Sequence, residues 1–327
     1  MKALSLLLSV LIATAAVVRA ADVVIYAVSK TQTFTQTATA APSLPLTGGF
    51  TFAALINART PTSVTGGTLL IPGATVKTFG PVPGFGQWAV VEPFNDLAAM
   101  NAVYAPGNYR FTINAVTDGT RTPTLAFNGS SFSSTPTVTN IVAAQNIDWT
   151  QDFPLQWSAF TGGTTTNTIQ LIINRKDGTQ LFATPQYPAT GYLKSTNTSV
   201  AIPANTFVPG ETYSATLAFA NLVTVDPFSY GFFDGVPGVA TFIKITNFPM
   251  KAPGTTPLLG IAKGAAPGSY DLTWNSDIGR TYDLTWSADF TTWTRVDLVT
   301  ATAATTTRSD TPAAQVTARF YRLQEPP

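Results

Sequence analysis

The chain is expected to fold as an all-β protein built of tandem sandwiches, and three observations carry that expectation. Short runs alternate apolar and polar residues and are rich in Val, Ile, Thr and aromatics. Gly or Pro interrupts them about every ten residues, the rhythm of strands joined by turns. Hydrophobic residues make up 45% of the chain and charged ones only 11%, enough apolar material for packed cores and too little charge for a disordered chain.

The first twenty residues read as a signal peptide. Lys2 supplies a positive start, Ala3 to Val18 are apolar, and Val18-Arg19-Ala20 offers small residues for cleavage after Ala20. The apolar run is shorter than the roughly 20 residues of a spanning helix, and no second long apolar run follows. The mature protein is therefore expected outside the cytoplasm, secreted or at the cell surface, with no integral membrane segment.

Region 21–133 should contain strands at Val23 to Val28, Thr31 to Thr39, Phe50 to Ile56, Gly67 to Ile71, Trp88 to Val91 and Tyr109 to Val116. One short helix is expected from Asn95 as cap to about Val103, since Leu97 and Met100 fall three apart after a capping residue. Ser130 to Pro136, rich in Ser, Thr and Pro, is a candidate linker. In region 137–248, Phe153, Leu155 and Trp157 alternate toward one face, as do Ile169, Leu171 and Ile173. Arg175-Lys176-Asp177-Gly178 supplies a turn before Leu181; Thr198 to Ile202, Tyr213 to Phe219 and Val239 to Ile245 complete the region. Pro249 to Pro257 is the second candidate linker. In region 258–325, Tyr270-Asp271-Leu272-Thr273-Trp274 recurs as Tyr282-Asp283-Leu284-Thr285-Trp286, which predicts two neighbouring strands of a hairpin around Asn275 to Arg280.

Each region also carries a Gly shortly before a Tyr that opens a strand: Gly107-Asn108-Tyr109, Gly210-Glu211-Thr212-Tyr213 and Gly279-Arg280-Thr281-Tyr282. Immunoglobulin and fibronectin type III sandwiches place a tyrosine there, its hydroxyl bonded back to the corner of the sheet. The stretch from Leu155-Gln156-Trp157 to Tyr213 resembles a fibronectin type III module, with a core Trp on an early strand. The stretch from Gly279 through Ser287-Ala288-Asp289-Phe290-Thr291-Thr292-Trp293 to Arg319-Phe320-Tyr321-Arg322 resembles a terminal β module of secreted proteins from Verrucomicrobia and related bacteria. These resemblances imply immunoglobulin- or fibronectin III-like sandwiches, with Tyr109, Tyr213 and Tyr282 as structural corner residues. They carry no catalytic residue to this chain.

The chain contains no histidine and no cysteine. A Ser-His-Asp triad, a thiol nucleophile, disulfides and His- or Cys-based zinc and haem sites are thereby excluded, and no cofactor is expected. With Lys2 and Arg19 removed, sixteen basic side chains stand against seventeen acidic ones, so the basic footprint of a nucleic-acid partner is missing. Asp118-Gly119, Asp177-Gly178 and Asp234-Gly235 read as turns rather than calcium loops. Carboxylate chemistry survives these exclusions; Asp148 and Asp152 beside Trp149 are the pair to consider for a glycosidase.

Aromatic residues in loop-like segments are the sharper candidates. Phe228, Tyr230, Phe232 and Phe233, flanked by Asp226 and Asp234, lie between two strands of the second region. Such rings can form a stacking platform for sugars, with the acids bonding hydroxyls, or they can fold inward and plug the end of a sandwich. Phe79, Phe85 and Trp88 pose the same choice, with Trp88 leading directly into a strand. Trp157, Trp274, Trp286 and Trp293 are assigned to structure. The reading that follows is a secreted, non-catalytic binding or adhesion protein whose partner is a polysaccharide or another surface protein. A structural protein of the cell surface or matrix is the alternative, and a carboxylate-dependent glycoside hydrolase the third.

Overall fold

The computed structural model describes residues 21–84, 86–129, 132–162, 167–187, 189–231, 235–313 and 318–324. The expected signal peptide 1–20 lies outside them, as do Phe85, Phe232, Phe233 and Asp234. Strands dominate, and among the described residues no helix is long and apolar enough to cross a membrane. Two compact units emerge, neither continuous in sequence. One draws on Met1–Ile141, Leu155–Val200 and Ser214–Pro249, the other on Val142–Pro154, Ala201–Tyr213 and Met250–Pro327.

In chain order the elements are β1 (Val23–Thr35), β2 (Phe50–Ala58), β3 (Val64–Leu70), β4 (Val76–Thr78), β5 (Gly80–Val82), β6 (Gln87–Phe94), α1 (Leu97–Val103), β7 (Gly107–Ala115), β8 (Gly119–Arg121) and β9 (Thr124–Phe127). Then come β10 (Phe153–Gln156), β11 (Thr168–Asn174), β12 (Gln180–Ala183), β13 (Leu193–Lys194), β14 (Ser199–Ile202), β15 (Thr212–Asp226) and β16 (Gly238–Lys251). Nine strands form one sheet in the order β12-β11-β15-β16-β1-β2-β6-β5, with β13 also on β11. Its centre is a parallel pair: β1 meets β16 from Tyr26 opposite Gly238 to Thr35 opposite Asn247, while its other edge pairs antiparallel with β2.

The reason lies in Val23-Val24-Ile25-Tyr26-Ala27-Val28, which is apolar at every position. Such a strand cannot turn one face to water and takes a place covered on both sides. Tyr26 and Val28 join a core with Phe52, Phe111, Phe127 and Phe242. On the opposite face Ile25 and Ala27 pack with Leu222 and Val239. One sheet thus runs through both regions expected as separate modules, 21–133 and 137–248. A second sheet, β4-β3-β7-β8 with β9 on β7, faces the first across the aromatic core.

Local differences from expectation have local causes. Asp96, not Asn95, caps α1, its Oδ1 accepting the Ala99 N–H at 2.7 Å, while the Asn95 Oδ1 accepts from the Gly48 N–H at 3.2 Å. The described end of the Ser130–Pro136 segment is bonded to the sheet. The Thr246 hydroxyl donates to the Pro136 carbonyl at 2.5 Å, and the Gln36 amide bonds both backbone groups of Val138. At the second expected linker, Pro249, Met250 and Lys251 continue β16, with Met250 fully buried.

The second unit ends in a small sandwich of β17 (Leu259–Lys263), β18 (Tyr270–Asn275), β19 (Thr281–Ser287), β20 (Thr294–Thr300), β21 (Thr305–Asp310) and β22 (Phe320–Gln324). The echoed strands are not hairpin partners. β18 sits in the sheet β17-β18-β21 and β19 in the sheet β20-β19-β22, so the link from Ser276 to Arg280 is an arch between two sheets. Leu272 and Trp274 on one side, and Tyr282 and Leu284 on the other, are all buried in a single core, with the Trp274 and Tyr282 rings edge-to-face at 5.9 Å. Like-patterned strands in one hairpin would set their apolar residues side by side; in facing sheets they meet across the core.

All three expected corner tyrosines bond backbone a few residues upstream. The Tyr109 hydroxyl donates to the Ala105 carbonyl at 2.7 Å. The Tyr213 hydroxyl accepts from the Val208 N–H at 2.7 Å, and that of Tyr282 accepts from the Asp277 N–H at 2.8 Å. Gly210 and Gly279, at φ +87° and +86°, make the turns that lead into the last two. Tyr282→Phe leaves the buried Asp277 N–H without its acceptor and is expected to lower unfolding free energy by about 1–3 kcal/mol in urea titration. Tyr270→Phe, at the exposed echo position, is the control expected to change nothing measurable.

Candidate functional site

The loop after β15 divides its aromatic residues. Phe228 is 59% exposed. Asp226 turns the chain beneath it, accepting the N–H groups of Phe228 at 2.8 Å and Ser229 at 3.0 Å and bonding the Ser229 hydroxyl. Tyr230 goes inward and is 2% exposed, its ring 6.2 Å from that of Tyr26 and its hydroxyl donating to Asp118 at 2.9 Å. It is therefore part of the first unit's core and not a stacking face. Phe232, Phe233 and Asp234 lie outside the described residues, which leaves Phe228 as the described exposed ring of the expected platform.

The other candidates are likewise absorbed locally. Phe79 is buried and Trp88 packs against the first core. Asp148 makes a turn, accepting the Thr150 N–H and hydroxyl at 3.0 and 2.6 Å, bonds that hold its carboxyl below the usual range. Asp152 accepts the Ala204 N–H at 2.8 Å. Among the described residues no three His, Cys, Asp or Glu side chains gather as metal ligands.

A different aromatic surface forms on the outer face of β20-β19-β22, opposite the face that carries Tyr282 and Leu284. The central strand β19 contributes Asp283, Thr285 and Ser287 there, by the alternation of strand side chains. Its neighbours contribute long ones: Thr285 lies in register with Arg295 on β20 and Arg322 on β22, and Ser287 with Phe320. These fold across the short central residues and bury them, leaving Asp283 3%, Thr285 4% and Ser287 1% exposed. Arg295 grips Asp283 with two bonds, Nε at 2.7 Å and a terminal nitrogen at 3.0 Å, and holds its carboxyl below the usual range.

Three rings crown this face. Phe290 is 61% and Phe320 36% exposed, their centroids 3.8 Å apart. Trp293, half-buried, lies 6.5 Å from Phe290 and carries the Arg322 guanidinium over its face at 4.0 Å. The turn that places them depends on Asp289, whose carboxylate accepts the N–H groups of Thr291 at 2.9 Å and Thr292 at 3.0 Å. Phe290 sits at φ +63°. Glycine or asparagine takes that conformation with less strain, so backbone economy does not account for a phenylalanine there.

Sequence reasoning missed this surface because it assigned Trp293 to structure and did not single out Phe290, Phe320 or Arg322. A signal was present. Ser-Ala-Asp-Phe-Thr-Thr-Trp puts a large ring directly after a turn-forming Asp, in a connecting segment of the kind that runs over the surface.

No protein-family model matches this chain, and no curated protein matches it. Among solved structures it is similar to the FN1–FN3 domains of chicken CNTN1, at 10% identity and a TM-score of 0.17, over 79% of this chain and 83% of that one. A likeness that slight carries no argument, and the all-β architecture rests on the sheets described above.

Proposed function

We propose that this is a non-catalytic binding protein of the cell exterior, and that the outer face of β20-β19-β22 holds a polysaccharide. The carrying observation is the Phe290 ring, more than half exposed on a left-handed backbone position, beside Phe320 and Trp293. Aromatic faces bind sugar rings through large apolar contact at low cost in side-chain entropy, because each ring has few rotatable bonds. Thr285 and Ser287 lie buried beneath, so the rings and the arginines form the surface a polymer chain would meet.

Stability and binding should separate in one substitution. Phe290→Asn relieves the strained backbone position and is expected to hold or raise the thermal midpoint, while retention on the bound polysaccharide falls about tenfold, a loss of one ring's contact. Pull-down of the full chain on a panel of insoluble polysaccharides, with Phe290→Asn and Trp293→Ala alongside, reads both quantities. Undiminished retention in both variants would remove the site from this face, and no retention on any polymer would remove the reading itself.

A further inference from the structure

The polar groups around these rings are unevenly supplied. A neutral sugar presents hydroxyls that both donate and accept, and a site for it ordinarily offers acceptors as well as donors. On this face the buried carboxylate is already engaged: Asp283 is enclosed by two bonds from Arg295 and one from Gln324 at 3.3 Å, and the Oδ1 of the exposed Asp289 is taken up by its own turn. The Arg322 guanidinium is exposed and stacked on Trp293 at 4.0 Å; it makes no side-chain hydrogen bond or ion pair among the described residues, although its charge helps hold the Asp283 carboxyl below the usual range.

That stacking has a directional consequence. With one side of the guanidinium plane covered by the indole, its N–H groups point outward in the plane, the geometry that meets a carboxylate with two parallel bonds. The stack also restrains a long side chain before any ligand arrives, so less entropy is lost on pairing. A positive, donor-only fork set beside an aromatic platform is complementary to a sugar ring that bears an anionic group.

Resting on the reading of this face as sugar-binding, we infer that its ligand is a carboxylated polysaccharide, with the rings stacking on the pyranose and Arg322 pairing with the uronate. The probes are polygalacturonate and alginate, each beside its methyl-esterified form, which keeps the backbone and removes the charge. The full chain should be retained at least about tenfold more strongly on one acidic polymer than on its ester, and added salt should erase the difference. Arg322→Gln should bind acid and ester alike, with an unchanged thermal midpoint, while Trp293→Ala should weaken both.

Equal retention of acid and ester by the wild type overturns the carboxylate assignment and leaves the stacking surface standing. A preference for acid that persists in Arg322→Gln overturns the role of that residue. Failure to retain either acidic polymer overturns the inference outright, and retention of neutral polymers on the wider panel then decides separately whether the aromatic face binds sugar at all.

Discussion

Tyr230→Ala is expected to cost the first unit about 3–5 kcal/mol of stability, whereas Phe228→Ala, two residues away, should change it by less than about 0.5 kcal/mol. Phe228 is 59% exposed, so its truncation opens no enclosed cavity. Tyr230 is enclosed, packs against Tyr26 and lies under the Arg121 guanidinium, 5.7 Å from its ring centroid. Its hydroxyl also helps fix Asp118, whose same oxygen accepts the Asp22 N–H at 2.7 Å. Removing the ring therefore opens a cavity and loosens the tie between the start of β1 and the turn before β8. Urea titration of the two variants reads the difference, and an unchanged midpoint in Tyr230→Ala would show the ring to be free of the core.

The pair also marks how far the sequence could be read. Period-two alternation identified most strands, because alternation encodes a half-buried strand directly. The corner tyrosines were legible too, since glycine at positive φ followed closely by a strand-opening tyrosine is a local pattern with a local consequence. Which strands share a sheet is not local. Val23 to Val28 was legible as a strand, yet nothing in that run names β16, more than two hundred residues away, as its parallel partner. The repeat at 270 and 282 likewise encodes two inward faces and leaves open whether they lie side by side or opposite.

The candidate site was less legible for the same reason. An aromatic loop reads alike whether its rings point out or in, and Phe228 and Tyr230, two residues apart, do one each. The face of β20-β19-β22 depends on register: Arg322 reaches Trp293 only because Thr285 and Ser287 are short and lie between them. Register and side-chain length across three strands are properties of the assembled sheet, although the exposed Phe after Asp289 was there to be noticed.

Lys30 provides the second large effect, in the dependence of stability on pH. It is 1% exposed on β1, donates to the Asn101 side-chain carbonyl and to the Tyr104 carbonyl, each at 2.6 Å, and points toward the Phe127 ring at 5.5 Å. These contacts satisfy the end of α1 but supply no counter-ion, and burial pushes the pKa of the amine from 10.5 down to about 8. The folded-state value is thus the lower one. Between about pH 8 and 10.5 the unfolded chain binds the extra proton, so stability rises with pH across that window, and below pH 8 the cost of the buried charge is present in full. A shift of this size corresponds to roughly 3 kcal/mol. Lys244, its pKa also lowered by burial, adds to the slope in the same direction. Tyr26, Tyr104, Tyr109 and Tyr230 oppose it increasingly above about pH 9, because burial raises their pKa values and the unfolded chain, with tyrosines at 10.0, ionises first. Unfolding free energy should therefore climb from pH 8 to a maximum at about pH 9.5 and fall beyond it. In Lys30→Met the climb should shrink to the contribution of Lys244, while the loss of two hydrogen bonds offsets part of the gain at neutral pH. Urea titrations at pH 7, 8, 9 and 10 measure both slopes, and a wild type whose stability stays flat through that range would show that Lys30 does not titrate from a buried site.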